Sequence, residues 1–471
     1  MTNWMPKLAE GAGPLYLRLA GQIESDIASG TLPVGAKLPP QRNLAYDIGV
    51  TLGTVGRAYA LVREKGLVSG EVGRGTFVLG SESARTSAPH PTPDFFGGTR
   101  ALVSPPGLLR LDTTAAPDVG QTAAIETVTA RIARDQTRHS LDYVRAPAPS
   151  WREAGRAWLA AGDWQPETDD IVPALGAHAA ILAVIAAVTA PGDRIVFEQL
   201  TYSSVARSAA LIGRRPVAVD MDDEGMCPED FEHLCAQQHP KMAFLMPDMQ
   251  NPTLGVMSEA RRRQIAEIAR RYNVWLIEDA VYGSLIGERA IPLAALAPER
   301  TFHVGGLSKS VAAGIRAGWV ACPPYYAARV QTAYRMLTGG KPFLLAELAA
   351  RLVLSGEADA IRTRVRREIA EREAIARQLL AGLDFASGPQ APFLWMKLPE
   401  PWLSGIFRNA ASNEGVLIDE EDEFKPSRTD KIFHRIRIAF SDPPARDDMR
   451  RGLGTIRRLL EGGAAGHDNF G

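Results

Sequence analysis

Lys309 and Arg316 stand seven positions apart in the stretch His303-Val-Gly-Gly-Leu-Ser-Lys-Ser-Val-Ala-Ala-Gly-Ile-Arg-Ala-Gly-Trp319. A lysine is a weak nucleophile at its ordinary pKa, but in a crowded, partly desolvated site it attacks carbonyls and forms a Schiff base. Glycines let a ligand come close to the backbone, and an arginine offers a planar fork to a phosphate. Together these suit an aldehyde that carries a phosphate, such as pyridoxal phosphate; the alternative is a loop with two solvated cations.

Such a cofactor needs further partners, and each has a candidate. Asp279 can keep a pyridine nitrogen protonated and so make the ring an electron sink. Asn251 and Tyr282 can hydrogen-bond the ring hydroxyl, and Tyr202 can stack on the ring face. Gly176-Ala177-His178 opens an apolar helix whose free N–H groups and positive end suit the phosphate, alongside Ser308 and Arg316. Lys309 is then the internal aldimine lysine. Taken singly, Asp279 could be a helix cap, Tyr202 and Tyr282 core aromatics, and His178 a structural residue.

The elements that must position these groups are legible from Ile171 onward, where short apolar runs alternate with amphipathic helices. This is the pattern of a mostly parallel sheet wrapped by helices. Buried strands are predicted at Ile195–Phe197, Met242–Met246, Val274–Ile277, Phe302–Val304 and Trp319–Ala321. Just past the first four come Tyr202, then Gln250-Asn-Pro-Thr253, then Asp279 with Tyr282, then Lys309. Ligands in such sheets bind outside the carboxyl ends of the strands, so these residues converge. Arg- and Glu-rich helices are expected from about Ala346 to Leu383. Strands of a smaller lobe, lying mainly beyond about residue 330, are expected at Phe393–Leu398 and His434–Phe440.

The chain has 471 residues, 45% hydrophobic and 23% charged, with a net charge of -1. This length fits two or three domains, and the balance excludes a protein that is basic throughout, so any nucleic-acid binding must come from one module. The three cysteines show no disulfide or metal-ligand spacing, and Cys227, His233, Cys235 and His239 match no zinc pattern, so no metal is expected. Neither a signal peptide nor an apolar run of membrane-spanning length is seen, and a cytoplasmic location is expected.

Residues 1–80 carry 8 Lys and Arg against 6 Asp and Glu, a balance of +2. A helix is predicted from about Pro14 to Ser29, with Leu15, Leu19, Ile23 and Ile27 at four-residue steps. A short helix follows, opened by Leu38-Pro-Pro-Gln-Arg-Asn-Leu-Ala45, then a turn at Gly49 and a helix from about Thr51 to Glu64. In that third helix Val55, Ala58, Tyr59 and Val62 form the buried stripe, which leaves Thr54 and Arg57 together on the open face. A glycine-rich hairpin is predicted over 66–78, with Arg74 at its tip. Two helices joined by a glycine turn are the helix-turn-helix plan. Residues 81–110 read as a flexible linker, 111–460 as the second domain and 461–471 as a disordered tail.

The segment from Tyr16 to Val78, with Leu38-Pro-Pro-Gln-Arg42, Thr54-Val-Gly-Arg-Ala-Tyr59 and Gly73-Arg-Gly-Thr-Phe-Val78, resembles a GntR-family winged helix-turn-helix. That resemblance implies Arg42, Thr54, Arg57, Arg74 and Gly75 as contacts to double-stranded DNA. Leu52 and Gly53 depart from the family, which usually opens this helix with an arginine or another polar residue. Residues 171–460 resemble the fold-type-I aminotransferases, through Gln250-Asn-Pro-Thr253, Glu278-Asp-Ala-Val-Tyr282, Leu307-Ser-Lys309, Arg316-Ala-Gly318 and Ile436-Arg-Ile438. Joined, the two halves resemble the MocR subfamily of GntR regulators. The fold implied is an α/β fold-type-I pyridoxal-phosphate-dependent transferase domain with large and small lobes, preceded by the winged module, in a homodimer.

By the same resemblance Arg437 binds a ligand carboxylate, its alternative being an exposed strand arginine. Tyr143 reaches the phosphate of the partner subunit's cofactor, although the glycine expected soon after it is replaced within Ala146-Pro-Ala-Pro149. Gly306 stands where relatives often carry a serine bonded to the phosphate, which implies a weaker hold on the cofactor. The expected function is a pyridoxal-phosphate-dependent transcription regulator that senses an amino acid or amine through external aldimine formation at Lys309. The alternatives are a working aminotransferase with an accessory DNA-binding module, and a DNA-binding scaffold whose cofactor site is dead.

Overall fold

A computed structural model describes residues 4–6, 14–65, 67–71, 75–79, 98–99, 107–427, 429 and 431–462. The chain divides into two compact units, Met1–Asp94 and Phe95–Gly471.

In the first unit helices span Leu15–Ala28, Gln41–Asp47 and Leu52–Glu64, and strands Val68–Glu71 and Gly75–Val78 pair antiparallel. The first helix packs on the third through Leu19, Ala20 and Ile23, which are buried, whereas Leu15 is exposed. The four-residue repeat predicted for that stripe does not hold at its start. Four residues turn an α-helix through about 400°, so the row drifts about 40° per step and leaves the core within two turns. Val55, Ala58, Tyr59 and Val62 of the third helix are all buried as predicted. The Thr51 hydroxyl caps that helix, accepting from the Thr54 amide at 3.2 Å.

The second unit is built on a seven-stranded sheet. Its spatial order is Ile171–Ala174, Gly318–Ala321, Thr301–Gly306, Trp275–Asp279, Met242–Leu245, Arg194–Glu198 and Arg215–Val219. Gly318–Ala321 is antiparallel to both neighbours, and the remaining neighbours in the sheet pair in parallel. The central strands are buried along their length, which is why they read as continuous apolar runs rather than alternating ones. The edge strands Ile171–Ala174 and Arg215–Val219 were not among those predicted. The second of these alternates weakly between exposed and buried positions and carries little apolar signal.

Helix Ala177–Val188 is apolar around its circumference because it is covered on several sides, and it packs on helix Ala327–Thr338 as well as on the sheet. The helical stretch expected over 346–383 is two helices, Phe343–Leu354 and Glu357–Leu379. They are parted at Gly356, whose φ of 81° is the left-handed conformation that glycine adopts without a Cβ clash.

A four-stranded antiparallel sheet forms the smaller lobe, in the order Phe385–Ala386, Phe393–Lys397, Arg435–Ala439, Asp419–Glu420, covered by helices Ser404–Asn413 and Arg446–Gly462. The linker expected to reach residue 110 ends earlier. Leu109–Arg110 pairs in parallel with Val416–Leu417, and the Thr99 amide donates to Glu423 at 2.8 Å. Residues 81–97 and 100–106 of that predicted linker lie outside the described residues. Of the predicted tail, Glu461 and Gly462 belong to the last helix, because Leu459 and Leu460 are buried and extend its apolar stripe; residues 463–471 lie outside the described residues.

Candidate functional site

A cleft with a cavity volume of about 170 Å³ opens at the carboxyl ends of the strands. It is lined by Gly176, Ala177, His178, Tyr202, Asn251, Asp279, Tyr282, Ser308, Lys309, Arg316 and Arg437, so the structure brings together every residue predicted for the cofactor and ligand except Tyr143. Tyr143 is 91% exposed and lies outside the cavity of its own chain.

Four adjacent strands supply the groups. Asp279 is the last residue of Trp275–Asp279, one position inside the strand rather than past it, and is buried. Its Oδ1 accepts from the Val281 amide at 3.1 Å. Burial pushes its carboxyl pKa up to about 7, with the Lys309 ammonium pulling the other way. A buried carboxyl in this state is suited to a cationic N–H donor such as a protonated pyridine nitrogen.

The Lys309 ammonium donates to Thr114 Oγ1 at 2.9 Å, and that hydroxyl is 2.8 Å from the Tyr282 hydroxyl. Thr114 thus bridges the lysine and the tyrosine. No strand is predicted before it, and it is held at the site by the Leu109–Arg110 strand paired with Val416–Leu417 and by the Ala116 amide, which donates to the Ser308 carbonyl at 3.2 Å. Thr113, Ser203, Met246, Glu423 and Phe424 also line the cleft without having been predicted. Glu423 and Phe424 come from a single turn of 3-10 helix in the small lobe, where nothing in the sequence signals proximity to the sheet.

At the other end of the cavity Gly176, with φ 83°, caps helix Ala177–Val188, and Arg316 is exposed at the mouth of the same turn. Burial and then Arg316 lower the pKa of His178, whose Nε2 lies 3.1 Å from the Ser208 hydroxyl, so the ring is neutral and its Nδ1 is buried without a partner. The Tyr202 ring meets His178 edge-on with centroids 6.0 Å apart. An N-terminal helix turn, an arginine, an amine, a buried carboxyl and two hydroxyl-bearing rings form a donor set that fits a phosphate-bearing aromatic aldehyde.

Gly306 has a steric reason. A Cβ there would stand 2.8 Å from the Ala317 carbonyl oxygen, and one on Gly318 would stand 2.8 Å from the Ala177 amide nitrogen. The two glycines face each other across paired strands, so the closeness of the backbones sets Arg316 and the helix start together. Gly306→Ser therefore should not restore a lost anchor. It is expected to weaken cofactor retention by about 1–3 kcal/mol through overpacking, and a serine variant with a lower cofactor Kd in equilibrium ultrafiltration would refute this.

Arg437 is not the exposed strand arginine considered as an alternative, being 3% exposed. Its guanidinium donates to Asn251 Oδ1 at 2.8 Å, the Asp112 carbonyl at 2.9 Å and Asp419 Oδ2 at 2.5 Å.

The buried carboxyls make the cofactor-free chain pH-sensitive. The pKa of Asp279 lies at 3.8 unfolded and about 7 folded, and Glu198, also raised by burial, is likewise about 7. An acid with a raised folded pKa contributes stability that is complete below its unfolded value and fades as pH climbs through the folded one. The urea midpoint of the second unit should accordingly fall between pH 3.8 and about 7 in cofactor-free protein. Asp279→Asn should flatten that slope; a slope identical to that of the unsubstituted chain would count against Asp279 as its source.

In the first unit Arg42 and Arg57 are exposed, and Thr54 is half-buried with its hydroxyl 2.9 Å from that of Thr51. The Arg57 guanidinium sits 5.9 Å from the Tyr16 ring centroid. Gly75 begins a wing strand, and Arg74 lies outside the described residues.

Comparison with known proteins places these two units among described families. The model of aminotransferase class I and II matches residues 108–443, and that of bacterial regulatory proteins of the gntR family matches residues 15–78. The uncharacterized HTH-type transcriptional regulator YdeF of Bacillus subtilis is 30% identical over 98% of this chain and 97% of its own. The HTH-type pyridoxine biosynthesis transcriptional regulator PdxR of Corynebacterium glutamicum is 27% identical over 78% of this chain and 79% of its own. An archaeal alanine:glyoxylate aminotransferase superposes with a TM-score of 0.68 at 23% identity, covering 75% of this chain and 91% of its own, and so shares the fold.

Proposed function

The chain belongs to the aminotransferase class I and II family and carries a gntR-family head, and from that premise we propose that it senses an amino compound at Lys309 and answers by changing its hold on DNA. At the coarser level it is a pyridoxal-phosphate-dependent transcription regulator with an aminotransferase-like domain. Pyridoxal 5'-phosphate, when bound, supplies an aldehyde for amines and a ring that withdraws electrons.

The residues of this chain do the rest. Lys309 is the amine that would hold the cofactor's aldehyde and give way to an effector amine. Thr114 and Tyr282 hold the lysine amine through a two-hydroxyl relay. Asp279 would hold a proton at the ring nitrogen, and Arg316 with the Gly176–His178 turn would receive the phosphate. An effector changes the output only if it binds two states of the protein unequally, so displacing Lys309 must favour one arrangement of the lobes. Arg42, Thr54, Arg57, Arg74 and Gly75 are the proposed DNA contacts, in a homodimer where Tyr143 serves the partner's site.

The observation that carries the reading is a lysine amine bonded to Thr114 beside a buried Asp279, in one chain with a helix-turn-helix head. The same convergence favours the second reading, a working aminotransferase, since the groups for amine exchange are all present. The test is fluorescence anisotropy of the cofactor-loaded chain on DNA from its own upstream region, with amino compounds added. Compounds that shift the cofactor absorbance should also shift the DNA affinity. Rapid turnover of an amino acid with 2-oxoglutarate, and no specific DNA binding, would establish the second reading instead.

A further inference from the structure

We infer that Asp419 sets the charge selectivity of the effector site, so that it admits amino compounds without net negative charge and rejects amino dicarboxylates. This rests on the proposal that the cleft is an effector site, and it names the class of effector.

Asp419 and Arg437 are cross-strand partners in the small lobe. Both are buried, at 2% and 3% exposure, and their side chains meet at 2.5 Å. Arg437 is further bonded to Asn251 and to the Asp112 carbonyl, and its ring neighbours Phe393 and Phe424 lie 5.3 Å and 4.9 Å from the guanidinium. Three of its five N–H donors are thereby engaged, and its Nε is buried without a partner. An incoming carboxylate therefore meets a guanidinium whose charge is already balanced and whose fork is largely occupied, with a second carboxylate in contact with it.

The rest of the cavity does not change that balance. Glu423, which lines the cavity beside Arg437 where Asp419 does not, is paired with Arg207 at 2.9 Å. The neighbouring acids of the same run are engaged elsewhere, Glu420 with Arg408 and Glu421 with Lys425. His178 is neutral, and on the reading above Lys309, Arg316 and Asp279 are committed to the cofactor. Until an effector amine displaces Lys309, no cation among the described lining residues is left to balance a ligand with a second negative charge. Like-charge juxtaposition in a desolvated site costs enough to decide selectivity.

The experiment titrates the cofactor absorbance of the full chain with butylamine, L-leucine and L-glutamate. Butylamine and leucine are expected to shift the band at concentrations on the order of tenfold or more below glutamate. Asp419→Asn should bring glutamate about tenfold closer to leucine, while Asp419→Glu keeps the discrimination. Glutamate matching leucine in the unsubstituted chain, a comparison that needs no variant, overturns this inference alone. A glutamate-to-leucine ratio unmoved by Asp419→Asn also overturns it. If none of the three amines shifts the band, the effector reading falls and the inference falls with it.

Discussion

Lys309→Ala is expected to remove both the covalent attachment of the cofactor and every amine-driven change in DNA affinity. Lys309 is the single lysine among the described residues that line the cavity, and what remains is the noncovalent cradle of Arg316, Ser308 and the Gly176–His178 turn. Cofactor Kd should rise about 10- to 100-fold, equivalent to about 1.4–2.8 kcal/mol. The fold should survive, because Thr114 and Tyr282 stay paired with each other at 2.8 Å and keep the wall of the cavity closed. Absorbance of the borohydride-treated protein checks the covalent bond directly, since reduction fixes the cofactor to a lysine. A Lys309→Ala protein that still retains cofactor through dialysis after reduction would disprove the assignment.

Arg262→Ala should be the most destabilising single change in the second unit. The guanidinium is fully buried, bonded to Asp248 at 3.0 Å and to the Pro247 and Met257 carbonyls, and lies 3.6 Å from Glu278. Glu278 is in turn bonded to His303 at 2.7 Å and to the Leu293 and Ala294 amides, and these contacts hold its carboxyl at about 2 against the desolvation that opposes them. Removing the central cation of a buried ionic cluster leaves Asp248 and Glu278 each short of one positive partner in a desolvated site, at a cost of about 3–5 kcal/mol.

The functional consequence follows from position. Asp248 stands three residues before Asn251, and Glu278 immediately precedes Asp279, so Arg262 ties together the two strand ends that present the cavity groups. Urea denaturation followed by tryptophan fluorescence should show a lowered midpoint for the second unit, together with weaker cofactor retention. Unchanged stability would mean that Asp248, still held by Arg289 at 2.8 Å, suffices as the anchor.

Much of this was legible in the chain itself. The apolar runs fixed the central strands because strands buried on both faces cannot alternate. The residues following four of them, Tyr202, Asn251, Asp279 and Lys309, were readable as one site because adjacent parallel strands end on the same side of a sheet. The Thr51–Glu64 helix with its buried stripe was equally plain, since its period is local. By contrast the edge strand Arg215–Val219 and the starting turn of the first helix were misread or missed, as both lie where core contacts thin out and the apolar pattern fades.

What only the tertiary structure decided concerns contacts between residues far apart in sequence. Thr114 is 195 positions from Lys309, yet it carries the hydrogen bond to the amine. Gly306 reads in sequence as a missing phosphate anchor, whereas in space it is a backbone approach that no side chain fits. Arg437 reads as an open carboxylate receptor, whereas the folded strand pairing sets Asp419 against it. The types of the reactive groups and their order along the sheet come from local pattern, which the sequence determines by itself. Which of those groups is already satisfied by a neighbour depends on loops and strands brought together by packing, and no local periodicity encodes that.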